Sequence, residues 1–333
     1  MSEEQLTISE IYAKGKENLE KSGVSLTFPP DSNIGASSKE NRKYLDSLFF
    51  EPKFFDPVEA DTSLSLFGRR LRTPAFCSAL SMLPFMPENC LVDIARGIGN
   101  AGSLMMLGIG GSGELQNAID TGTPIVKIVK PYRKTELIYE KVRDAESRGC
   151  VAVGMDIDHS LGRLRGDRVD GTEIRGPQRS DELKQLISQT KLPFIIKGVL
   201  SISDAQKAVE IGASVIVVSN HAANSLLFGL PSMIALPRIA DSVGKKLTVL
   251  VDSGFKTGND VFKALAFGAA AVGFGWSMVL AFAADGSSGV ELLVNQITAE
   301  LCRTMTAVGC PNLSTIKRSS VIQVPPMKGE RSF

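Results

Sequence analysis

Residues 194–221 read FIIKGVLSISDAQKAVEIGASVIVVSNH, one full period of the pattern that decides the fold. Two apolar runs, the second beginning at Ala213, flank a segment with helical spacing. Both runs are short and apolar on both faces, as strands buried inside a parallel sheet are. The segment between them, SDAQKAVEIG at 203–212, opens on a capping residue and closes on glycine. Parallel neighbours need such a crossover, because a tight hairpin cannot join them.

The same period extends in both directions. Strand candidates are PAFCSAL from 74, GSLMML from 102, PIVKIV from 124, CVAVGMDI from 150, LPFIIKG from 192, ASVIVVSN from 213, LTVLVDSG from 247 and AAAVGFG from 269. Helical segments such as GNDVFKALAFG at 258–268 lie between them. Eight β/α units in about 235 residues predict an α/β fold of the TIM (β/α)8 barrel type. The alternative, an open doubly wound sheet, calls for a glycine-rich phosphate turn after its first strand, and CSALSMLPFMP at 77–87 is not one.

The barrel is expected over residues 73–320, followed by a C-terminal tail at 321–333. Residues 1–72 read as a cap within the same domain: a helix near 6–21, the stretch PPDSNIGASS, a helix at 39–47 and a hairpin near 63–72. Such a segment is too small to make its own core. The long polar insertion DHSLGRLRGDRVDGTEIRGPQRS at 158–180 reads as a lid or a disordered loop.

Lys+Arg 37 against Asp+Glu 36 gives no bias toward polyanions, so no nucleic-acid partner is expected. The five cysteines lack a CxxC spacing and read as reduced core residues, the N-terminus does not resemble a secretory signal, and no membrane span is expected. A cytoplasmic protein acting on a small molecule is the expectation.

In a barrel of this type the active site is built at the C-terminal ends of the strands. Those ends are Asp156, Lys197, Ser219-Asn220-His221, Asp252-Ser253-Gly254 and Gly275. The glycine turns after the last two strands, with Lys256 nearby, suit a phosphate, or are structural turns. His221 is a candidate base with Asp156 as its carboxylate, against the alternative of a hydrogen-bonded core histidine. Lys197 follows Phe194-Ile195-Ile196, which weakens a surface reading, and would supply positive charge. His159, Arg163, Arg165 and Arg168 fit a solvated loop, with a basic lid over an anionic ligand as the alternative for the arginines. Two histidines without clustered cysteines or carboxylates predict no metal site.

The run FIIKGVLSISDAQKAVEIGASVIVVSNH, with PSMIALPRIADSV from 231 and VLVDSGFKTGNDVFKALAFGAAAVGFG from 249, resembles the FMN-dependent α-hydroxy acid oxidase and dehydrogenase family of the glycolate and lactate oxidases. The likeness is strong over 192–280 and weaker over 60–160. It implies a TIM barrel, an FMN cofactor and a homo-oligomer, tetrameric in that family. By resemblance, His221 takes the substrate's hydroxyl proton and Asp156 orients it, while Lys197 lies beside flavin N1. Ser78, Ala79 and Ser219 line the flavin. Asp252, Gly254, Lys256 and Gly275 match ribityl and phosphate contacts.

The departures concern the substrate. Where the family pattern continues Gly-Gly-Arg after the histidine, this chain has Ala222-Ala223-Asn224, and Asn224 lacks the guanidinium fork that clamps a carboxylate. Lys127, within Val126-Lys127-Ile128-Val129, stands for a flavin-contacting glutamine, Gly154 for a threonine and Trp276 for a phosphate-binding arginine. Arg163 is a candidate replacement clamp. The expectation is an oxidoreductase that removes a proton at His221 and passes hydride to flavin. The alternatives are a redox-neutral isomerase-type enzyme or a catalytically silent flavin protein.

Overall fold

The computed structural model describes residues 5–24, 36–81, 85–108, 110–165, 168–170, 174–223 and 225–324, with backbone alone over 163–165 and 168–170. Eight parallel strands close on themselves: β1 (Ala75–Leu80), β2 (Met105–Leu107), β3 (Ile125–Val129), β4 (Ala152–Asp156), β5 (Phe194–Val199), β6 (Val215–Val218), β7 (Thr248–Val251) and β8 (Ala271–Phe274). Each pairs with the next, and β8 returns to β1 with Val272 opposite Ala75 and Phe274 opposite Cys77. The expected TIM barrel is the observed fold.

Ten helices are described: α1 (Ile8–Lys21), α2 (Ala36–Asp46), α3 (Cys90–Asn100), α4 (Ser112–Asp120), α5 (Thr135–Ser147), α6 (Ser180–Ser188), α7 (Ile202–Glu210), α8 (Ser232–Val243), α9 (Gly258–Ala266) and α10 (Trp276–Val308). Side chains of α7 and α9 cap their own first turns: Ser201 accepts from the Asp204 amide, and Thr257 from the Asp260 amide. The long α10 is broken at Asp285–Gly286. By length and hydropathy it could cross a membrane, but half of its apolar window is buried, and it packs against α1, α3 and α9.

Strand alternation sorts the core into two layers. One residue set on the strands, including Phe76, Met106, Val126, Ile128, Ala152, Ile195, Val217 and Leu250, fills the barrel interior. Their neighbours, among them Cys77, Ile125, Val129, Val153, Ile196 and Val218, face the helices. The hairpin of Leu64–Leu66 and Arg69–Leu71 lies near its predicted place and inserts Leu66 and Leu71 into the interior cluster. Those leucines meet Phe76 and Leu104, near the strands' amino ends, so the hairpin stops the barrel from below.

The cap is continuous with this core, since Ile11, Leu19 and Leu45 are buried in the same cluster as the helix layer. Gly15 lets α1 approach α10 closely, because a Cβ there would overlap the Leu280 carbonyl. At the other terminus Val321–Gln323 forms a two-stranded antiparallel sheet with Leu48–Phe50, so the tail begins as a strand; residues 325–333 lie outside the described residues. The loop expected at 158–180 also has order of its own: a 3-10 turn at Ile157–Leu161 and a small hairpin of Arg163–Arg165 with Arg168–Asp170.

The alternation corrects one assignment. Lys127 lies between Val126 and Ile128, both interior, so its own side chain points outward to the helix layer and cannot face a flavin in the barrel mouth. Its ammonium donates to the Gly108 carbonyl and is 4% exposed. Burial pulls its pKa down to about 8, with Lys141 adding to the effect. The unfolded chain therefore binds more protons than the folded one between about pH 8 and the ordinary lysine value, and across that window this group makes stability rise with pH. Below it the cost of the buried cation is fully present. Lys127→Met is expected to stabilise the protein by about 2 kcal/mol at pH 7 in urea denaturation, with the gain over wild type shrinking by pH 10.

Candidate active site

Extended past the apolar layers, the interior face of the strands turns polar at the C-terminal mouth. Continuing by twos from Val126 and Ile128 reaches Lys130; from Ala152 and Gly154, Asp156; from Ile195, Lys197; from Val217, Ser219; from Leu250, Asp252. A register shift in β1 between Cys77 and Leu80 aims both Ser78 and Ala79 toward the interior. Ser78 Oγ donates to Asp252 Oδ2 at 2.9 Å, and Ala79 packs on the interior cluster.

These residues form a buried network of alternating charge. Lys197 Nζ donates to Ser219 Oγ at 3.0 Å and lies 3.3 Å from Asp252 Oδ2 and 3.5 Å from Asp156 Oδ1. Burial alone would pull its pKa down, but Asp252 and Asp156 more than offset that and hold it raised. The Lys130 ammonium forms an ion pair with Asp156 Oδ2. Burial works to raise the pKa of Asp156, yet Lys130 and Lys197 keep it well below the carboxylate range. Asp252 is lowered in the same way, by Lys197 and the Ser219 hydroxyl against its burial. Lys197, Asp156 and Asp252 thus hold one another in the charged form although their side chains are almost fully buried.

His221 stands over this network, and its orienting carboxylate is not the expected one. Nδ1 is 3.0 Å from Asp158 Oδ2, and 3.9 Å from Asp156 Oδ1. Asp156 is instead taken up by the two lysines, so the orienting position passes to Asp158, two residues further along the chain. Ser225 Oγ also donates to Asp158 Oδ2, at 3.3 Å. Gly198, at φ +97°, makes room for this carboxylate: a Cβ there would overlap Asp158. His159 is also displaced from its expected place, since its ring is buried and stacks on His221 with centroids 3.8 Å apart and planes at 30°. Burial first, then His221 and Lys130, hold its pKa far below the imidazole range.

The backbone after β6 is left-handed at three consecutive residues, His221 (φ 52°), Ala222 (φ 55°) and Ala223 (φ 63°). Such a run of non-glycine residues is rare and concentrates at functional sites. It is braced by α2: Asn220 Nδ2 donates to Ser37 Oγ at 2.6 Å, and Asn41 Nδ2 to the Ser253 carbonyl at 3.1 Å. From α1, Tyr12 Oη donates to the Lys256 carbonyl at 2.7 Å.

The donor set suits FMN. The N-terminus of α10 follows Gly275 with no side-chain cap, leaving the Trp276 and Ser277 amides for a phosphate, and Gly254 and Lys256 are exposed beside the mouth of β7. Lys197 supplies a fixed positive charge inside. Gly154 has no space for a larger residue, since a Cβ would lie 2.6 Å from Ile195 Cβ. Arg163 lies in the backbone-only hairpin, its side chain outside the description, and Asn224 lies outside the described residues. Asp158, Lys130 and Gly198 escaped the sequence reading. Alternation from Ile128 was the signal that could have found Lys130, whereas Asp158 lies in the 3-10 turn beyond β4, where strand alternation has ended.

A mouth of this kind belongs to a TIM-barrel enzyme holding a phosphate-bearing cofactor. The profile of the FMN-dependent dehydrogenase family matches residues 28–179 and 163–323, and the chain belongs to that family, as an FMN-dependent oxidoreductase. It is 28% identical over 320 residues to glycolate oxidase 1 of Oryza sativa subsp. japonica, covering 85% of this chain and 86% of that one. It is 27% identical over 319 residues to the glycolate oxidase of Spinacia oleracea, covering 85% and 86%. The crystal structure of mandelate oxidase superposes with a TM-score of 0.84 at 26% identity, covering 95% of this chain and 98% of that one.

Gly198→Ala is expected to push Asp158 away from His221. It should lower the rate of flavin reduction by substrate at least tenfold while leaving FMN bound, as stopped-flow absorbance would show. Lys130→Met should cost about 3 kcal/mol in urea denaturation, because it leaves a buried carboxylate short of one partner, and Lys130→Met with Asp156→Asn should recover part of that loss.

Proposed function

We propose that this chain oxidises a small 2-hydroxy acid to the 2-oxo acid, with His221 as the base. The observation that carries the reading is the His221–Asp158 pair beside Lys197 at the barrel mouth. An ionised carboxylate only accepts hydrogen bonds, so the proton of the neutral imidazole sits on Nδ1, facing Asp158, and Nε2 is the basic nitrogen. Nε2 takes the proton of the substrate hydroxyl. The imidazolium that results is stabilised by the Asp158 carboxylate 3.0 Å away, while the ionised Asp156 adds to the field from 3.9 Å. FMN, when bound, supplies the acceptor for the two electrons that leave the carbinol carbon as hydride.

The chain's own residues then have distinct tasks. Lys197 would offer positive charge to a cofactor that gains electron density on reduction, and its three polar partners fix the ammonium in position. Ser78, Ala79, Ser219 and Asp252 would form the wall for the cofactor, and Gly254, Lys256, Gly275 and the open end of α10 would hold its phosphate. The names of the relatives, glycolate oxidase and mandelate oxidase, support a 2-hydroxy acid as substrate class. We also read the protein as cytoplasmic and as a homo-oligomer, the latter reading supported by the exposed Phe49, Phe54, Phe55 and Ile322 on and near the strand pair of Leu48–Phe50 with Val321–Gln323.

The test is anaerobic mixing of the FMN-loaded protein with glycolate, lactate and mandelate. Bleaching of the oxidised flavin band by at least one of them is the expected result. Asparagine tolerates the left-handed backbone at 221, so His221→Asn should stay yellow and be reduced about 10²–10⁴-fold more slowly. A yellow protein bleached by no hydroxy acid would turn the reading to redox-neutral chemistry or to a silent flavin protein.

A further inference from the structure

The loop after β4 carries a guanidinium that the barrel strands do not. Its returning limb is pinned against the segment leaving β3: the Arg133 amide donates to the Ile174 carbonyl at 3.0 Å and the Gly176 amide to the Pro131 carbonyl at 2.9 Å. Tyr132 and Arg175 form an antiparallel bridge, and Gln178 Nε2 donates to the carbonyls of Tyr132 and Gly176, each at 3.1 Å. Position 175 is therefore held on a frame and is not at a loop tip. From this frame Arg175 Nη1 reaches to 3.4 Å from His159 Nδ1, and the His159 ring lies on His221.

Among the described residues, two buried donors in this arrangement have nothing to donate to. A guanidinium only donates, so the His159 nitrogen facing it is the one with the lone pair, and the proton of the neutral ring sits on Nε2. That Nε2–H is buried without a partner on a side chain only 6% exposed, and Arg175 Nε is buried without one as well. Among the described residues no carboxylate lies within ion-pair distance of Arg175. Buried donors are paired in nearly all folded proteins, and two exceptions side by side next to the base are places for a water or a ligand to bind.

We propose that Arg175 and His159 recognise the substrate's anion, with the guanidinium pairing the carboxylate and the His159 Nε2–H donating to an oxygen of the same molecule. This rests on the reading of the chain as a 2-hydroxy acid oxidoreductase. It supplies from the loop after β4 the fork that Asn224 lacks after β6. The two residues act differently: Arg175 attracts by charge, whereas His159, kept neutral by its burial, contributes direction. Since His159 covers one face of His221, an anion held by the pair is delivered next to the base.

The probe is oxalate, which binds without turnover. It is titrated into the FMN-loaded protein, and its dissociation constant is read from the flavin difference spectrum. Arg175→Met should weaken oxalate at least tenfold, and His159→Phe, which keeps the ring stack but not the N–H, about threefold or more. Binding of FMN itself, read by fluorescence quenching, should change less than twofold in both. If Arg175→Met does not fold, Arg175→Gln is judged by the same tenfold criterion. Wild type that binds oxalate, together with an Arg175 variant that binds it equally well, overturns this assignment and leaves the proposed reaction standing. A wild-type holoenzyme that neither binds oxalate nor is bleached by any 2-hydroxy acid overturns both.

Discussion

Closure of eight parallel strands into a barrel forces every strand side chain to one of two addresses, the interior or the helix layer, and the site depends on that constraint. The interior is filled by apolar side chains from Phe76 to Leu250 and stopped from below by Leu66 and Leu71. Polar groups on the same face can be placed only above this plug. Lys130, Asp156, Lys197, Ser219, Asp252 and Ser78 therefore converge at the mouth because parity leaves them no other address. Removing any of these groups from water is unfavourable alone, and it is tolerated because each charge faces an opposite one.

The order of those charges matters for the chemistry. Lys197 touches both Asp156 and Asp252, while Lys130 touches Asp156 from the other side. Asp156 thereby stands between two cations and is kept from competing for His221, whose Nδ1 turns to Asp158. A carboxylate shared by two buried lysines has a poor proton affinity, and Asp156 is held in that way. The division of labour between two aspartates only two residues apart follows from Lys130, the residue just beyond β3.

Much of this was legible in the sequence. The eight β/α units, the polar strand ends, His221 and Lys197 could all be found from apolar runs and what ends them. Lys127 was misplaced because a run such as Val126-Lys127-Ile128-Val129 is apolar on both faces and does not reveal which parity points inward. Asp156 ends β4 and Asp158 lies in the 3-10 turn beyond it, so alternation could not choose between them; the choice depends on Lys130 and on the space beside Gly198, which are contacts across strands. The stack of His159 on His221 and the pinning of Arg175 join residues from separate loops, and no local pattern encodes them. The length and polarity of 158–180 pointed to a loop, but not to a braced one.

Local strain at the site is held by elements far from it in sequence. Three successive left-handed residues after β6 cost on the order of 1 kcal/mol each for non-glycine residues, and Ala222 and Ala223 accept that cost without a glycine's freedom. Such a backbone relaxes unless something over-determines it. Here α2 does so by bonding Asn220 through Ser37 and the β7 loop through Asn41, and Arg42 reaches Asp260 with both guanidinium arms at 2.8 and 2.9 Å, which secures α2 to α9. Asp260 Oδ2 also accepts from the Lys256 amide at 2.9 Å, so one carboxylate ties the cap to the turn offered to the phosphate. The amino-terminal cap, which contributes no strand to the barrel, thus keeps the base and the phosphate turn in a fixed relation to each other.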